Sequence, residues 1–361
     1  MKIGLLLPTC HPWSINEVAL ATAEAANVDS VWTVDHLLGL FHPEIWAEHS
    51  AASPLTHPDA YLDPFVVSGV LGRTTRLEFG LAVTDSVRRR AADVARSALS
   101  VQQLCEGGFH LGVGCGEAQN LLPFGYDFEK PVARCEAFLR ELRGLLDEGR
   151  MPDGGVGRLG IPLETAAGRP QVWVAAHGPR MLRLTGQYGD GWLPSWGLDA
   201  EEYGRRRSEV AQHAERAGRP TPTAGLVAIT VLGESRQRIR EMYDANPTAK
   251  LTAMAFPADR WHAYGLEHPD GPESRGMVDV IAHRHDADAL RALAPKIPFE
   301  LFEEGRFMGN VDELVERFGA FARQGMQHLV IANVTGSVGG AEEAAAGAAA
   351  LPELVKRLGE L

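Results

Sequence analysis

Cysteine is scarce in this chain: four residues in 361, Cys10, Cys105, Cys115 and Cys135, with no C-x-x-C pair and no histidine cluster at ligand spacing. That argues against a disulfide framework and a zinc module, and makes reduced, mostly buried thiols and no metal the expectation. Long apolar runs are missing too, and none approaches the roughly 18 residues that a membrane span needs. Basic charge is in deficit, with 35 Lys and Arg against 47 Asp and Glu and a formal net charge of −12. Neither nucleic acid nor an anionic membrane is therefore expected as a partner. Met1-Lys2 runs straight into apolar residues without the layout of a signal peptide, so a soluble, cytoplasmic protein is expected. No Gly-x-Ser-x-Gly elbow occurs. No glycine fingerprint follows the first apolar run, where Leu7-Pro8-Thr9-Cys10-His11-Pro12 stands instead.

What is present is a regular alternation. Short buried strands are read at 3–7, 30–34, 77–83, 109–113, 172–176, 191–193, 226–232 and 328–333. Helical stretches at 17–26, 64–71, 91–104, 130–146, 181–188, 203–217 and 311–324 separate them. Eight strands alternating with helices predict an α/β fold whose parallel sheet closes into a (β/α)8 TIM barrel. A single domain is expected over 1–361, with a helical insert between strands seven and eight, about 234–306, acting as a lid.

Residues just past the strands of such a barrel share one rim, where catalysis is placed. Strand two delivers Asp35 and His36, strand three Thr84 and Asp85, and strand four the run Gly112-Val113-Gly114-Cys115-Gly116-Glu117 followed by Asn120. A histidine beside a carboxylate suits proton donation near neutral pH, and glycines let backbone approach a flat ring. Ala175, Ala176, His177 and Gly178 offer backbone N–H groups at a helix entry, a cradle for an anion or an ordinary turn. Arg88-Arg89-Arg90 reads as a solvated face or a second anion site. His11, Trp13, Trp46, Asp85, Trp196 and His268 are the candidate walls of a substrate pocket. The long segment 37–63 is a functional loop on length alone.

Ser30 to Leu37, Gly112 to Asn120, Trp173 to Pro179, Gly189-Asp190-Gly191-Trp192 and Gly309 to Leu314 together resemble the luciferase-like family of barrel oxidoreductases. That family works with FMN or the deazaflavin coenzyme F420. Within it, Val83-Thr84-Asp85 with Arg88-Arg89, Lys130 to Arg134 and Gly265 to Pro269 are similar to phthiodiolone ketoreductase-like reductases. The resemblance implies catalytic roles for His36, Asp35 and Glu117. It implies cofactor contacts at Ala82, Val83, Thr84, Gly116, Glu117, Asn120, Ala175, Ala176, His177 and Gly178, with a non-prolyl cis peptide at Ala82-Val83 behind the ring. One departure stands out. The deazaflavin-dependent sugar-phosphate dehydrogenases carry a tryptophan shortly after the Asp-His pair, where this chain has Gly39-Leu40.

The expected function is thus a coenzyme F420-dependent reductase of a carbonyl or conjugated C=C. The insert holds Met254, Phe256, Trp261, Tyr264, His268 and Met277, which suits a bulky, largely apolar substrate or simple packing onto the barrel. An FMN-dependent monooxygenase is the alternative, and a silent cofactor-binding barrel a third. The expected partner is a small molecule; a homodimer is left open.

Overall fold

The computed structural model describes residues 1–48, 55–195 and 197–361. Its strands are β1 (Lys2–Leu6), β2 (Ser30–Thr33), β3 (Glu78–Asp85), β4 (Phe109–Gly114), β5 (Gln171–Val174), β6 (Gly191–Trp192), β7 (Thr223–Leu232), β8 (Phe307–Gly309) and β9 (His328–Asn333). Eight of them pair side by side in the order β1-β2-β3-β4-β5-β6-β7-β9, and β9 returns to β1, so the sheet is a closed barrel. Every pairing is parallel, which forces a crossover after each strand, and helices supply these. The helix read at 130–146 is Pro131–Asp147, and its Cys135, Phe138, Leu139, Leu142, Leu145 and Leu146 fall at helical spacing and are all buried. Two starts are set by side chains. Asp63 accepts the N–H groups of Phe65 and Val66 ahead of Pro64–Leu71, and Asn310 with Glu313 forms a capping box on Val311–Arg323.

Two features escaped the sequence pattern. β8 lies outside the ring, pairing only with the far end of β7, Thr230 to Phe307 through Leu232 to Gly309. Three residues are too few to show alternation. The chain ends in a long helix, Ala341–Gly359, whose alanine-rich first half has little apolar periodicity to read. The insert is helical, as expected, but is built of short pieces from Arg236–Asp244 to Phe299–Glu303. Leu251, Met254, Phe256 and Trp261 form an apolar cluster there with Ile45 of the second loop, so loop and insert make one layer over the barrel.

The barrel is plugged beneath that layer. Trp32 and Trp173 fill its interior, their rings 5.4 Å apart, with His110 stacked on Trp32 and His328 edge-on to both. They fit because glycine stands opposite: a Cβ on Gly80 would lie 2.2 Å from Trp32 and one on Gly191 2.1 Å from Trp173. Access is therefore only from the carboxyl ends of the strands. There the Ala82–Val83 peptide is cis, where the β3–β4 register shifts between Leu81 and Thr84. The His11–Pro12 bond is cis as well. Gly112 is required beside the shift, since a Cβ would lie 1.9 Å from the Leu81 carbonyl oxygen. No helix among the described residues is long and apolar enough to cross a membrane.

Candidate active site

A cavity of about 1790 Å3 opens above the plug, larger than the roughly 300–1,000 Å3 of an ordinary small-molecule site. Its wall carries Asp35, His36, Thr84, Asp85, Glu117 and Asn120 from the ends of β2, β3 and β4. Ala175, His177 and Gly178 follow β5, and the insert contributes Phe256 and Met277. Gly114 and Gly116 line it too, and Gly116 sits at a φ of 92° that favours glycine.

His36 is a quarter exposed and its ring lies 5.3 Å from that of Tyr61. Its Nδ1 is 3.1 Å from Asn120 Nδ2 and 3.9 Å from Glu117 Oε2. Asn120 also donates to Glu117 Oε2 at 3.3 Å, as does Gln119. Part of the Glu117 side chain, 30%, is accessible, and that part borders the cavity. Burial pushes its carboxyl above the usual range, against the lowering pull of His36 and the Gln119 amide. A carboxyl of raised pKa and a histidine thus stand side by side at the floor of a largely apolar mouth.

Asp35 has a different place from the one its sequence neighbour suggested. It is 5% exposed and its carboxylate accepts from Thr84 Oγ1 at 2.6 Å and from Arg89 Nε at 3.1 Å, with Arg88 Nη2 3.2 Å away. Burial alone would raise its carboxyl, but Arg88, Arg89 and the Thr84 hydroxyl hold it below the usual value. The carboxylate within reach of His36 is that of Glu117. Asp35 and His36 both lie just past the end of β2, and there the Asp35 side chain is taken up by Thr84, Arg88 and Arg89 while His36 meets Asn120 and Glu117. Arg88 and Arg89 are accordingly neither a solvated face nor an anion site; Arg88 also pairs with Asp85 and donates to the Asp35 carbonyl at 2.8 Å. The three-residue spacing of Asp85 and Arg88 was the available signal for that pairing. Tyr61 had none.

The turn after β5 opens the helix Pro179–Tyr188. Gly178 precedes it without any side-chain cap, and a Cβ on Gly178 would meet nothing within 4 Å. Ala176 is buried and its carbonyl accepts the Trp192 indole N–H at 2.9 Å. His177 Nε2 accepts from the Ser195 N–H at 3.3 Å, and burial with the nearby Arg206 lowers its imidazole to about 4. The ring is neutral at physiological pH. The helix start is bare of a side-chain cap and borders the cavity.

Of the expected pocket walls, Trp46 and Asp85 line the cavity, Trp46 buried with its ring 4.6 Å from Phe41. His11 and Trp13 do not; His11 bonds Thr56 at 3.1 Å and the Trp13 indole donates to Glu17 at 2.8 Å. His268 is a packing residue of the insert, 3% exposed, edge-on to Trp261, with Nε2 at the Met254 carbonyl and Nδ1 accepting from Asp270. Trp196 lies outside the described residues. Among the described residues no group of acidic, histidine or cysteine side chains is placed to hold a metal.

Residues 1–328 match the model of the luciferase-like monooxygenase family. A phthiodiolone/phenolphthiodiolone dimycocerosates ketoreductase of Mycobacterium tuberculosis is 33% identical over 331 residues, 87% of this chain and 86% of that one. An F420-dependent glucose-6-phosphate dehydrogenase of Mycolicibacterium fortuitum is 28% identical over 88% of this chain and 87% of that one. Among solved structures, an F420-dependent secondary alcohol dehydrogenase in complex with an F420-acetone adduct superposes with a TM-score of 0.69 at 17% identity, covering 99% of this chain and 98% of that chain.

Proposed function

Because the chain belongs to the luciferase-like monooxygenase family, we propose that it is an oxidoreductase that works with the deazaflavin coenzyme F420. Its substrate is the carbonyl, or conjugated C=C, of a bulky and largely apolar molecule. The observation that carries this reading is the His36–Asn120–Glu117 group set at one side of the cavity from the uncapped helix start at Gly178.

The residues present fit the coenzyme. Gly178 leaves open a cradle that any Cβ would begin to fill, and its helix presents free N–H groups to a phosphate. Gly114 and Gly116 line the cavity next to the Ala82–Val83 peptide, and a Cβ on Gly114 would press within 3.0 Å of Val83. When bound there, the deazaflavin supplies or accepts hydride. His36 holds a proton at the ring nitrogen left to the cavity, in reach of a substrate oxygen that gains charge. Glu117, whose carboxyl burial raises above its usual range, stands beside that oxygen with a weakened tendency to ionise. Asp35, Thr84, Arg88 and Arg89 tie the end of β2, which carries His36, to the neighbouring end of β3. Loop and insert keep water out, the whole chain acting as one domain with residues 234–306 as its lid.

The apolar half of the proposal rests on Leu40, Phe41, Trp46, Phe256 and Met277 in the cavity wall, and on the 33% identity to a phthiodiolone/phenolphthiodiolone dimycocerosates ketoreductase. Equilibrium dialysis against deazaflavin and FMN tests the cofactor. Deazaflavin binding with hydride transfer to an alkyl ketone is the expected result. Retention of FMN alone would replace this reading with that of a flavin monooxygenase.

A further inference from the structure

If His36 hands over a proton, as proposed above, it matters which ring nitrogen holds it. We propose that Asn120 is a positioning residue that selects the His36 tautomer with its proton on Nε2.

Asn120 Oδ1 accepts from the backbone N–H of Leu37 at 2.7 Å and of Leu38 at 3.3 Å. Two N–H donors on one atom require that atom to be the oxygen, so the orientation of the amide is fixed by its neighbours. The other terminus is then the nitrogen. It has two hydrogens and two acceptors in reach, His36 Nδ1 at 3.1 Å and Glu117 Oε2 at 3.3 Å. An amide nitrogen accepts nothing, so His36 Nδ1 must present its lone pair. The proton of the neutral ring sits on Nε2. That nitrogen takes no bond from the described residues, and His36 borders the cavity. Asn120 is 4% exposed, which leaves little water to offer an alternative.

Glu117 makes the selection necessary. Its Oε2 lies 3.9 Å from the same Nδ1 and, ionised, would draw a proton onto it. The Asn120 amide stands between the two and bonds both. Asn120 has no bonding capacity to spare, so its sequence-based assignment to cofactor binding gives way to one of orientation.

In Asn120→Asp one carboxylate oxygen keeps the Leu37 and Leu38 bonds, while the other faces Nδ1 as an acceptor. The proton then moves to Nδ1 and Nε2 becomes a bare lone pair. Protein labelled with 15N-histidine, without cofactor or substrate, is read by long-range 1H–15N spectra at about pH 8, above the usual imidazole range. His36 is assigned by the signal lost in His36→Gln. Expected are a pyridine-type shift at Nδ1 and a pyrrole-type shift at Nε2, reversed in Asn120→Asp. The variant should keep deazaflavin affinity and lose turnover on the order of 10²-fold. A pyrrole-type Nδ1 in the unaltered protein overturns the proposal, whether or not the variant folds. So does an unreversed tautomer in the variant, or a reversed one with undiminished turnover. Since the spectra need no ligand, failure to bind deazaflavin would sink the functional reading and leave the tautomer result standing.

Discussion

Asp35 and Arg89 form a two-point ion pair, Nε to Oδ2 at 3.1 Å and Nη2 to Oδ1 at 3.3 Å, which binds the end of β2 to the start of the helix after β3. Arg89 reaches on to Asp63 at 2.9 Å, the cap of Pro64–Leu71. A residue adjacent to the proposed proton donor thus serves the scaffold.

The first prediction follows from that pair. Asp35→Asn leaves Arg88 and Arg89 under-neutralised in a buried setting and should cost about 3 kcal/mol, read from urea melts at pH 7. The pH dependence has a definite sign. Asp35 is held below its usual value in the folded chain, so its contribution is complete above about pH 4 and fades as pH falls through the depressed value. Parallel acid-unfolding curves for Asp35→Asn and the unaltered protein would refute this.

The second concerns the two groups at the floor. His36→Ala should lower turnover by roughly 10²–10⁴-fold with deazaflavin affinity kept. Glu117→Gln should cost less activity and raise stability at neutral pH by about 0.5–2 kcal/mol. The sign comes from burial. A carboxyl raised in the folded chain favours folding below its ordinary pKa, and that advantage disappears as pH rises through the raised value. Neutral glutamine escapes the penalty. Steady-state kinetics paired with thermal melts at pH 5 and pH 8 check both halves.

Much of this was open to reading from sequence, for a physical reason. Parallel strands buried on both faces are short apolar runs, and 109–113 or 328–333 stand out between polar breaks; they agree with Phe109–Gly114 and His328–Asn333. The rim was legible because connectivity alone sends the residues after each strand to one end. What connectivity leaves open is where a side chain points. Asp35 and His36 are neighbours in sequence yet serve different partners, and Asn120 reaches His36 from 84 positions away. The insert was the least legible part, since Met254, Trp261 and His268 pack its own interior while Phe256 and Met277 reach the cavity. Composition there is the same for both fates.

The third prediction is about the lid. Asp59 Oδ1 accepts the Gly39 N–H at 2.7 Å, and its Oδ2 lies 2.7 Å from His283 Nε2, a bond from the second loop to the insert. Arg291 adds a second tie to Glu48 at 2.6 Å. His283→Ala should free the insert edge and weaken ketone binding roughly tenfold, the worth of one hydrogen bond to a charged group. Limited proteolysis should then cut within 234–306 sooner, with cofactor and ketone together restoring protection. Equal cleavage rates in variant and unaltered protein would show that the insert is held by its apolar cluster alone.

The fourth prediction sizes the substrate. A wall with Leu40, Phe41, Trp46, Phe256 and Met277 removes each added methylene of an alkyl ketone from water, worth about 0.8 kcal/mol or roughly fourfold in KM. A series of 2-alkanones should therefore gain in kcat/KM stepwise, with kcat nearly flat, since burial far from the carbonyl is felt equally in ground and transition states. The gain should continue well past the chain lengths that fill an ordinary pocket, because the cavity of about 1790 Å3 exceeds what a ring cofactor and a short ketone occupy together. Phe256→Ala and Met277→Ala should flatten the slope at long chain lengths only, leaving short ketones unaffected. A slope near zero from the first methylenes, or a preference for small charged ketones, would mean that the apolar wall faces something other than substrate.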